Sequence, residues 1–319
     1  MVIKEADIRT GDIETLNQLL LRPDLLTNTR HKIEQQLKFI YSGIKGEKQS
    51  AYQLQFHFGQ SDDWVVIHDL RLPFQGRIAQ IDHLLINRKL QVFVCESKRV
   101  AGEISINEQG EFSQLYNGKT QGMSSPLEQN QRHISILKNI FKSSLVALPT
   151  RLGIRLQPTL YSLILVSSEA HIRRPKVNIA GIDCIIKNDQ LKTKVAELSN
   201  SNNLFHLIKK VSSETLKDIA YQLVKLHSPI QKDWYAYFGL SDYADILKVQ
   251  IPAKPANKIE IKHKTKTIDN YQSDVTEEKH FCITCCKNIS LIVAQYCWNN
   301  KKIFKGKAYC YQCQQKIKQ

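Results

Sequence analysis

Two apolar segments, Ile78–Ile86 and Leu90–Lys98, stand three residues apart, and this pair constrains the fold more than any other feature of the 319-residue chain. Each is strand-length. Asn87-Arg88-Lys89 between them is short enough for a hairpin loop, so the two are expected to pair antiparallel. The second segment ends unusually for a buried strand. Val92 and Val94 share a face with Glu96 and Lys98, whose side chains point the same way about 7 Å apart. Charges therefore sit where the pattern calls for apolar residues, and Asp82 on the neighbouring strand can approach them across the hairpin. Two carboxylates and an ammonium at one sheet end are costly unless something uses them.

A divalent cation is one such use. Mg²⁺ takes hard oxygen ligands, commonly one or two carboxylates, and leaves other positions to water and phosphate. It can polarise a phosphoryl oxygen and acidify a water while a lysine orients or deprotonates that water. The plainer alternative is an edge salt bridge, Glu96 with Lys98 or Lys98 with Asp82, that only solvates the strand end.

Around the hairpin the pattern alternates between helix and strand. Residues 1–46 read as helical: Ile13–Leu26 carries a broad apolar stripe broken at Pro23, and His31–Tyr41 sets Ile33, Leu37 and Ile40 at helical spacing. From Tyr52 the pattern turns strand-like, with Trp64–Leu70 as a first strand and Glu103–Ile106 as a short later one. Ser125-Pro126-Leu127-Glu128 marks a helix start, with Ser at N-cap, Pro at N1 and Glu at N3. Its Leu127, Ile134, Leu137 and Phe141 are expected to face the core. Thr159–Ser167 and Ile182–Ile186 read as buried strands, and Gln190–Leu198 and Glu214–His227 as helices. The expected organisation is an N-terminal helical segment (1–45), an α/β domain (46–230), a basic linker (231–279) and a small cysteine-rich unit (280–319).

That last unit contains six of the eight cysteines. Cys282, Cys285, Cys310 and Cys313 form C-x2-C-x24-C-x2-C, a spacing that suits tetrahedral Zn²⁺ held by four thiolates. Cys286 and Cys297 compete for ligand roles. A segment of about 40 residues can hardly fold without such a cross-link. Four closed ligands make the zinc structural. Tyr296, Trp298, Phe304, Tyr309 and Tyr311 among Lys301, Lys302, Lys305 and Lys307 offer stacking planes and phosphate partners, or else fill the tiny core.

Composition narrows the function classes. With 42% hydrophobic and 24% charged residues the chain is not disordered as a whole. No apolar run approaches the ~20 residues of a membrane span, and the acidic N-terminus lacks the apolar region of a secretory signal, so a cytoplasmic location is expected. The formal net charge is +15; residues 246–319 hold fourteen lysines against five acidic residues. A basic segment of that kind favours polyanions, nucleic acid first among them.

Gly46-Glu47, Gln80–His83, Glu96–Lys98, Gly102 and Pro126–Gln129 occur in an order and at intervals that resemble the nuclease-related domain (NERD), a branch of the PD-(D/E)xK endonuclease-like superfamily. The resemblance spans roughly residues 46–140. It implies a restriction-endonuclease-like α/β core, a mixed sheet flanked by helices. It also implies that Asp82 and Glu96 hold Mg²⁺ or Mn²⁺, that Lys98 serves the nucleophilic water, that Glu47 adds a carboxylate from a helix that Gly-Glu opens, and that Gln129 fixes a water or phosphate. The superfamily's Pro-Asp is Ile81-Asp82 here, and the aromatic that precedes Pro-Leu-x-Gln in the family is not obvious in GKTQGMSS, which bears on substrate contacts. The implied activity is metal-dependent hydrolysis of DNA phosphodiesters; a catalytically silent nucleic-acid-binding or partner-docking protein and an RNA nuclease are the alternatives. The cysteine-rich end resembles a small zinc-ribbon-like finger. His83, facing away from Asp82, is expected to make a structural hydrogen bond, Cys95 to be a small core residue, and Glu34, Glu103 and Glu128 to be surface or capping groups.

Overall fold

The computed structural model describes residues 1–100, 102–116, 118–200, 209–240, 280–284, 288–289, 293, 297–298, 300–310, 313–314 and 317. Two compact units, Met1–Pro252 and Ala253–Gln319, divide the chain.

In the first unit the elements run β1 (Val2–Lys4), α1 (Thr10–Leu20), α2 (Thr27–Phe58), β2 (Trp64–Phe74), β3 (Arg77–Asn87), β4 (Gln91–Lys98), β5 (Glu103–Ile106), β6 (Phe112–Tyr116), β7 (Lys119–Met123) and α3 (Pro126–Lys142). They continue with β8 (Thr150–Arg151), β9 (Ile154–Arg155), β10 (Thr159–Val166), β11 (His171–Arg173), β12 (Ile185–Lys187), α4 (Leu191–Ser199), α5 (Ser213–Lys225) and α6 (Trp234–Tyr237). The main sheet is mixed, in the order β1-β2-β3-β4-β10-β12. Strands β2, β3 and β4 are antiparallel neighbours, while β10 runs parallel to both β4 and β12. A second sheet, β11-β5-β6-β7, continues from the end of β4.

Both faces of the main sheet are covered. On one, Val65, Leu84, Val92 and Val94 pack with Leu137 and Ile140 of α3 and Leu216 and Ile219 of α5. On the other, Val66, Leu85, Phe93 and Leu163 meet Leu54 and Phe58 of α2 and Leu191 of α4. The β3–β4 turn is held by one side chain: Asn87 Oδ1 accepts from Lys89 N and Gln91 N, and its Nδ2 donates to Gln91 Oε1. The α3 start follows its sequence signal, with Ser125 Oγ accepting from Glu128 N at 3.2 Å.

Four expectations need correction. Val2–Lys4 is an edge strand parallel to β2, not helix. The strand-like stretch from Tyr52 is helix as far as Phe58. Residues 52–58 alternate polar and apolar, but a period of two also satisfies i, i+4, so Leu54 and Phe58 stack on one helical face. Helix α2 thereby crosses the boundary expected at residue 45. Ile182–Ile186 is a 3-10 turn through Cys184 and only then a strand. The linker expected from residue 231 does not begin there: Trp234 of α6 is buried with Leu16, Leu19, Ile33 and Leu37 in a separate helical core. Residues 241–279 of that expected linker lie outside the described residues. No helix among the described residues is long and apolar enough to cross a membrane.

In the second unit Cys282 and Ile289 form a small core against Trp298, Tyr309, Cys310 and Cys313. Phe304 is buried too. These aromatics serve packing; Tyr296 and Tyr311 lie outside the described residues.

Candidate functional site

The acidic cluster forms where β2, β3 and β4 leave the apolar core. Val65 and Ile67 of β2 face the same core as Leu70 and Leu72, so the odd–even alternation changes phase between them. The change falls at His68-Asp69, where Asp69 has φ 51°. On β3 the phase likewise changes between Ala79-Ile81 and Leu84-Ile86. The pairs His68–His83 and Leu70–Ile81 set Asp69 across from Asp82. A kink of this kind re-aims side chains at a sheet end, and here it turns two aspartates toward one cleft.

The cleft has a volume of about 670 Å³, and its wall includes Arg9, Glu47, Asp69, Asp82, Lys232 and Trp234. Asp82 is half-buried, and its Oδ2 accepts from the backbone N of Ser97 at 2.8 Å. Burial, with Glu96 and Glu47 adding negative charge, holds the Asp82 carboxyl well above the usual range.

Glu96 is only 2% exposed. Its Oε1 accepts from Lys98 Nζ at 2.6 Å and from Gln129 Nε2 at 2.7 Å. Lys98 Nζ also donates to Gln129 Oε1 at 3.0 Å, closing a three-membered ring of hydrogen bonds. The Gln129 amide has one workable orientation there, since an ammonium only donates and a carboxylate only accepts. Glu96 Oε2 is buried without a hydrogen-bond partner. Burial pushes the Glu96 carboxyl up, against the opposing pull of Lys98 and Gln129.

Gln129 reaches this point because Asn130 fastens α3 to the sheet. Its buried Nδ2 donates to Val94 O and Ser162 Oγ, both at 2.8 Å, bridging β4 and β10. One turn along α3, His133 Nδ1 lies 3.7 Å from Glu96 Oε2. Burial lowers the His133 pKa to about 4, with the positive charges of Arg132 and Lys98 acting the same way.

Glu47 arrives from the middle of α2, not from a helix start as expected. The preceding Gly46 explains how. A Cβ there would sit 2.9 Å from Arg99 Cβ and 3.4 Å from Arg99 N, just past the end of β4. Only glycine lets the helix lie this close to the strand end. One turn later Ser50 Oγ donates to Asn188 Oδ1 and accepts from Ser97 Oγ, each at 2.9 Å. Burial and the neighbouring Asp69 raise the Glu47 carboxyl.

All five expected site residues thus come to one end of the sheet. The carboxylates do not form a tight triad, however. Among the described residues, the group of three or more candidate metal-ligating atoms within 4.8 Å of one another is Cys282, Cys310 and Cys313. Cys95 is core, as expected, and burial drives its thiol far up. His83 is buried and pairs with His68 through their Nδ1 atoms at 2.8 Å. Burial keeps both neutral, His68 at about 4 and His83 well below its ordinary value. Sequence reasoning missed Asp69, Asn130 and His133. Asp69 left a trace, a polar His-Asp pair inside the apolar run Val65–Leu72.

Residues 42–164 match the family model of NERD, the nuclease-related domain. The matched segment holds Glu47, Asp82, Glu96, Lys98 and Gln129, and runs from the second half of α2 into β10. A NERD segment points to a nuclease-related function, with nucleic acid as the substrate class. No curated protein and no solved structure matches the chain.

In the second unit, the three clustered sulfurs fit a zinc site, since ligands ~2.3 Å from a tetrahedral ion stand roughly 3.8 Å apart. Cys285 and Cys286 lie outside the described residues. Cys297 is not in the cluster; its Sγ accepts from Tyr309 N at 3.4 Å and Gln314 Nε2 at 3.3 Å.

Proposed function

We propose that the NERD segment is a PD-(D/E)xK-type, metal-dependent phosphodiesterase that cleaves DNA, and that the C-terminal unit is a zinc finger that helps to hold nucleic acid. The observation that carries the reading is the state of Glu96: a buried carboxylate with one oxygen locked by Lys98 and Gln129 and the other without a hydrogen bond, its neighbour His133 Nδ1 standing 3.7 Å away. Such an atom is costly unless a ligand completes it. With Asp82 beside it, the donors are hard oxygens, the set that suits Mg²⁺ or Mn²⁺.

A divalent cation held by Asp82 and Glu96 supplies polarisation of a phosphoryl oxygen and acidity to a ligated water. The chain's own groups do the rest. Lys98 uses two of its three protons on Glu96 and Gln129, leaving one to orient a water or stabilise phosphoryl charge. Gln129 fixes that ammonium in place. Glu47, in the wall of the same cleft, accepts a proton or a hydrogen bond from the attacking side.

The test is digestion of plasmid, single-stranded DNA and RNA by the full chain with Mg²⁺, Mn²⁺ or EDTA. DNA cleavage is expected with either metal and none in EDTA, and Glu96→Ala is expected to fall below about 1% of wild type, in line with the rate losses when such charge stabilisation is removed. Failure to cut any substrate would leave the silent, binding-only alternative; preference for RNA would reassign the substrate.

For the finger, Cys285 is the proposed fourth ligand beside Cys282, Cys310 and Cys313. Elemental analysis is expected to find one zinc per chain, lost in Cys310→Ser and Cys285→Ser and kept in Cys297→Ser. Retention of zinc in Cys310→Ser would exclude this ligand set.

A further inference from the structure

The exposed face of α2 opposite its buried stripe carries an unusual sequence of side chains. Tyr41, Lys45, Lys48, Tyr52 and Phe56 fall at i, i+4, i+7, i+11 and i+15, one straight line along a 3.6-residue helix. All five are exposed, with Tyr41, Tyr52 and Phe56 at 52, 63 and 67%. The Tyr52 and Phe56 rings lie 25° from parallel with centroids 6.0 Å apart. Three open aromatic faces and two lysines thus share a line about 22 Å long.

This line lies near the acidic cleft. Tyr41 and Lys48, with Tyr52, border a groove of about 540 Å³. The same Tyr41 and Lys48 border a second cavity of about 420 Å³, whose wall also includes Arg9, Glu47 and Asp69. Arg9, Glu47 and Asp69 in turn border the cleft that holds Asp82. Shared wall residues place the groove beside the cavity, and the cavity beside the cleft that holds the carboxylates.

We infer that this face of α2 is a binding track for single-stranded nucleic acid, which brings an unpaired strand to the acidic cleft. The inference rests on the nucleic-acid reading above and narrows its substrate class. Its chemistry favours a single strand over a duplex. Open aromatic planes stack unpaired bases, whose faces a duplex keeps covered, and interleaved lysines neutralise successive phosphates. A second protein copy would find lysines in the middle of the apolar line, which suits a polyanion better than a self-association face.

The test uses the full chain in EDTA, where cleavage does not interfere, and a fluorescein-labelled thymidine 20-mer followed by anisotropy. The double substitution Tyr52→Ala with Phe56→Ala is expected to weaken binding at least about tenfold, since each lost base–aromatic stack alone is worth roughly fivefold or more. Lys45→Ala with Lys48→Ala is expected to lower the slope of log K against log salt by about 1.4, two contacts at ~0.7 each. The C-terminal lysines offer a second set of phosphate partners, so a second readout locates the strand: photo-cross-linking of a 5-bromouracil oligonucleotide is expected to label Tyr41, Tyr52 or Phe56. Unchanged affinity and slope together with labelling only beyond residue 240 would overturn the track. So would loss of a dimer in the aromatic variant with affinity unchanged, which would make the face a self-association surface. Because EDTA removes cleavage, an inactive wild type would sink the nuclease reading and leave this result standing.

Discussion

Replacing Lys98 with alanine is expected to reduce DNA cleavage by at least about 10³-fold, the scale of losing a placed charge donor or a general acid–base group. The geometry explains why no neighbour can substitute. Lys98 Nζ is the ammonium bonded to Glu96, at 2.6 Å, and it also holds the Gln129 carbonyl at 3.0 Å. Removing it frees Gln129 to turn and leaves Glu96 buried beside fewer donors. The fold is expected to survive, because Glu96 can take up a proton, a change its raised pKa already favours. Lys98→Arg tests geometry separately, since a planar guanidinium cannot reproduce the two angles that the ammonium uses. Circular dichroism melts alongside nicking assays check both statements. Cleavage by the alanine variant within tenfold of wild type at neutral pH would remove Lys98 from the chemistry.

Asp82→Asn is expected to separate activity from stability. Cleavage should be lost, because a neutral amide is a poor ligand for a hard cation. Yet in EDTA at pH 7 the variant should melt above wild type by at least a few degrees, since each ~1 kcal/mol moves the midpoint of a unit of this size by roughly 2–4 °C. Ionised Asp82 is opposed by burial and by the carboxylates of Glu96 and Glu47, while its bond from Ser97 N can be kept by an asparagine oxygen. The sign of the pH dependence follows. An acid whose folded pKa is raised holds its proton longer in the native state than in the unfolded chain. It therefore costs nothing below about pH 4, the unfolded value, and progressively more stability as pH rises toward the folded pKa. The advantage of Asp82→Asn should be absent near pH 4 and grow above it. Added Mg²⁺ should raise the melting temperature of wild type only. An asparagine variant less stable than wild type in EDTA at pH 7 would mean that the cluster is a structural salt-bridge network.

The two predictions concern one cluster, but its residues come from different strands and helices and were not equally legible. Glu96 and Lys98 were readable because strand alternation is local: two charges replaced the next two apolar residues of one face. Asp82 followed from the short Asn87–Lys89 connection, which sets the antiparallel register. Glu47 was readable only through a resemblance, and its setting was misread, because the alternation at 52–58 suits strand and helix alike. Asn130 and His133 left no signal. A buried asparagine that ties a helix to two strands looks, in one dimension, like any surface asparagine.

By itself the amino-acid order determined the β3–β4 hairpin, the charged ending of β4, the capped start of α3 and the paired cysteines of the C-terminal unit. Each depends on residues within a few positions of one another, where backbone periodicity and turn geometry decide the outcome. Only the tertiary structure decided that Gly46 lets α2 lie against the end of β4, that Gln129 closes a ring with Lys98 and Glu96, and that Asp69 faces Asp82 across a kink. Those contacts join segments tens of residues apart, and their positions follow from how the apolar faces of whole helices settle on the sheet, a sum over many weak packing terms that no local pattern records.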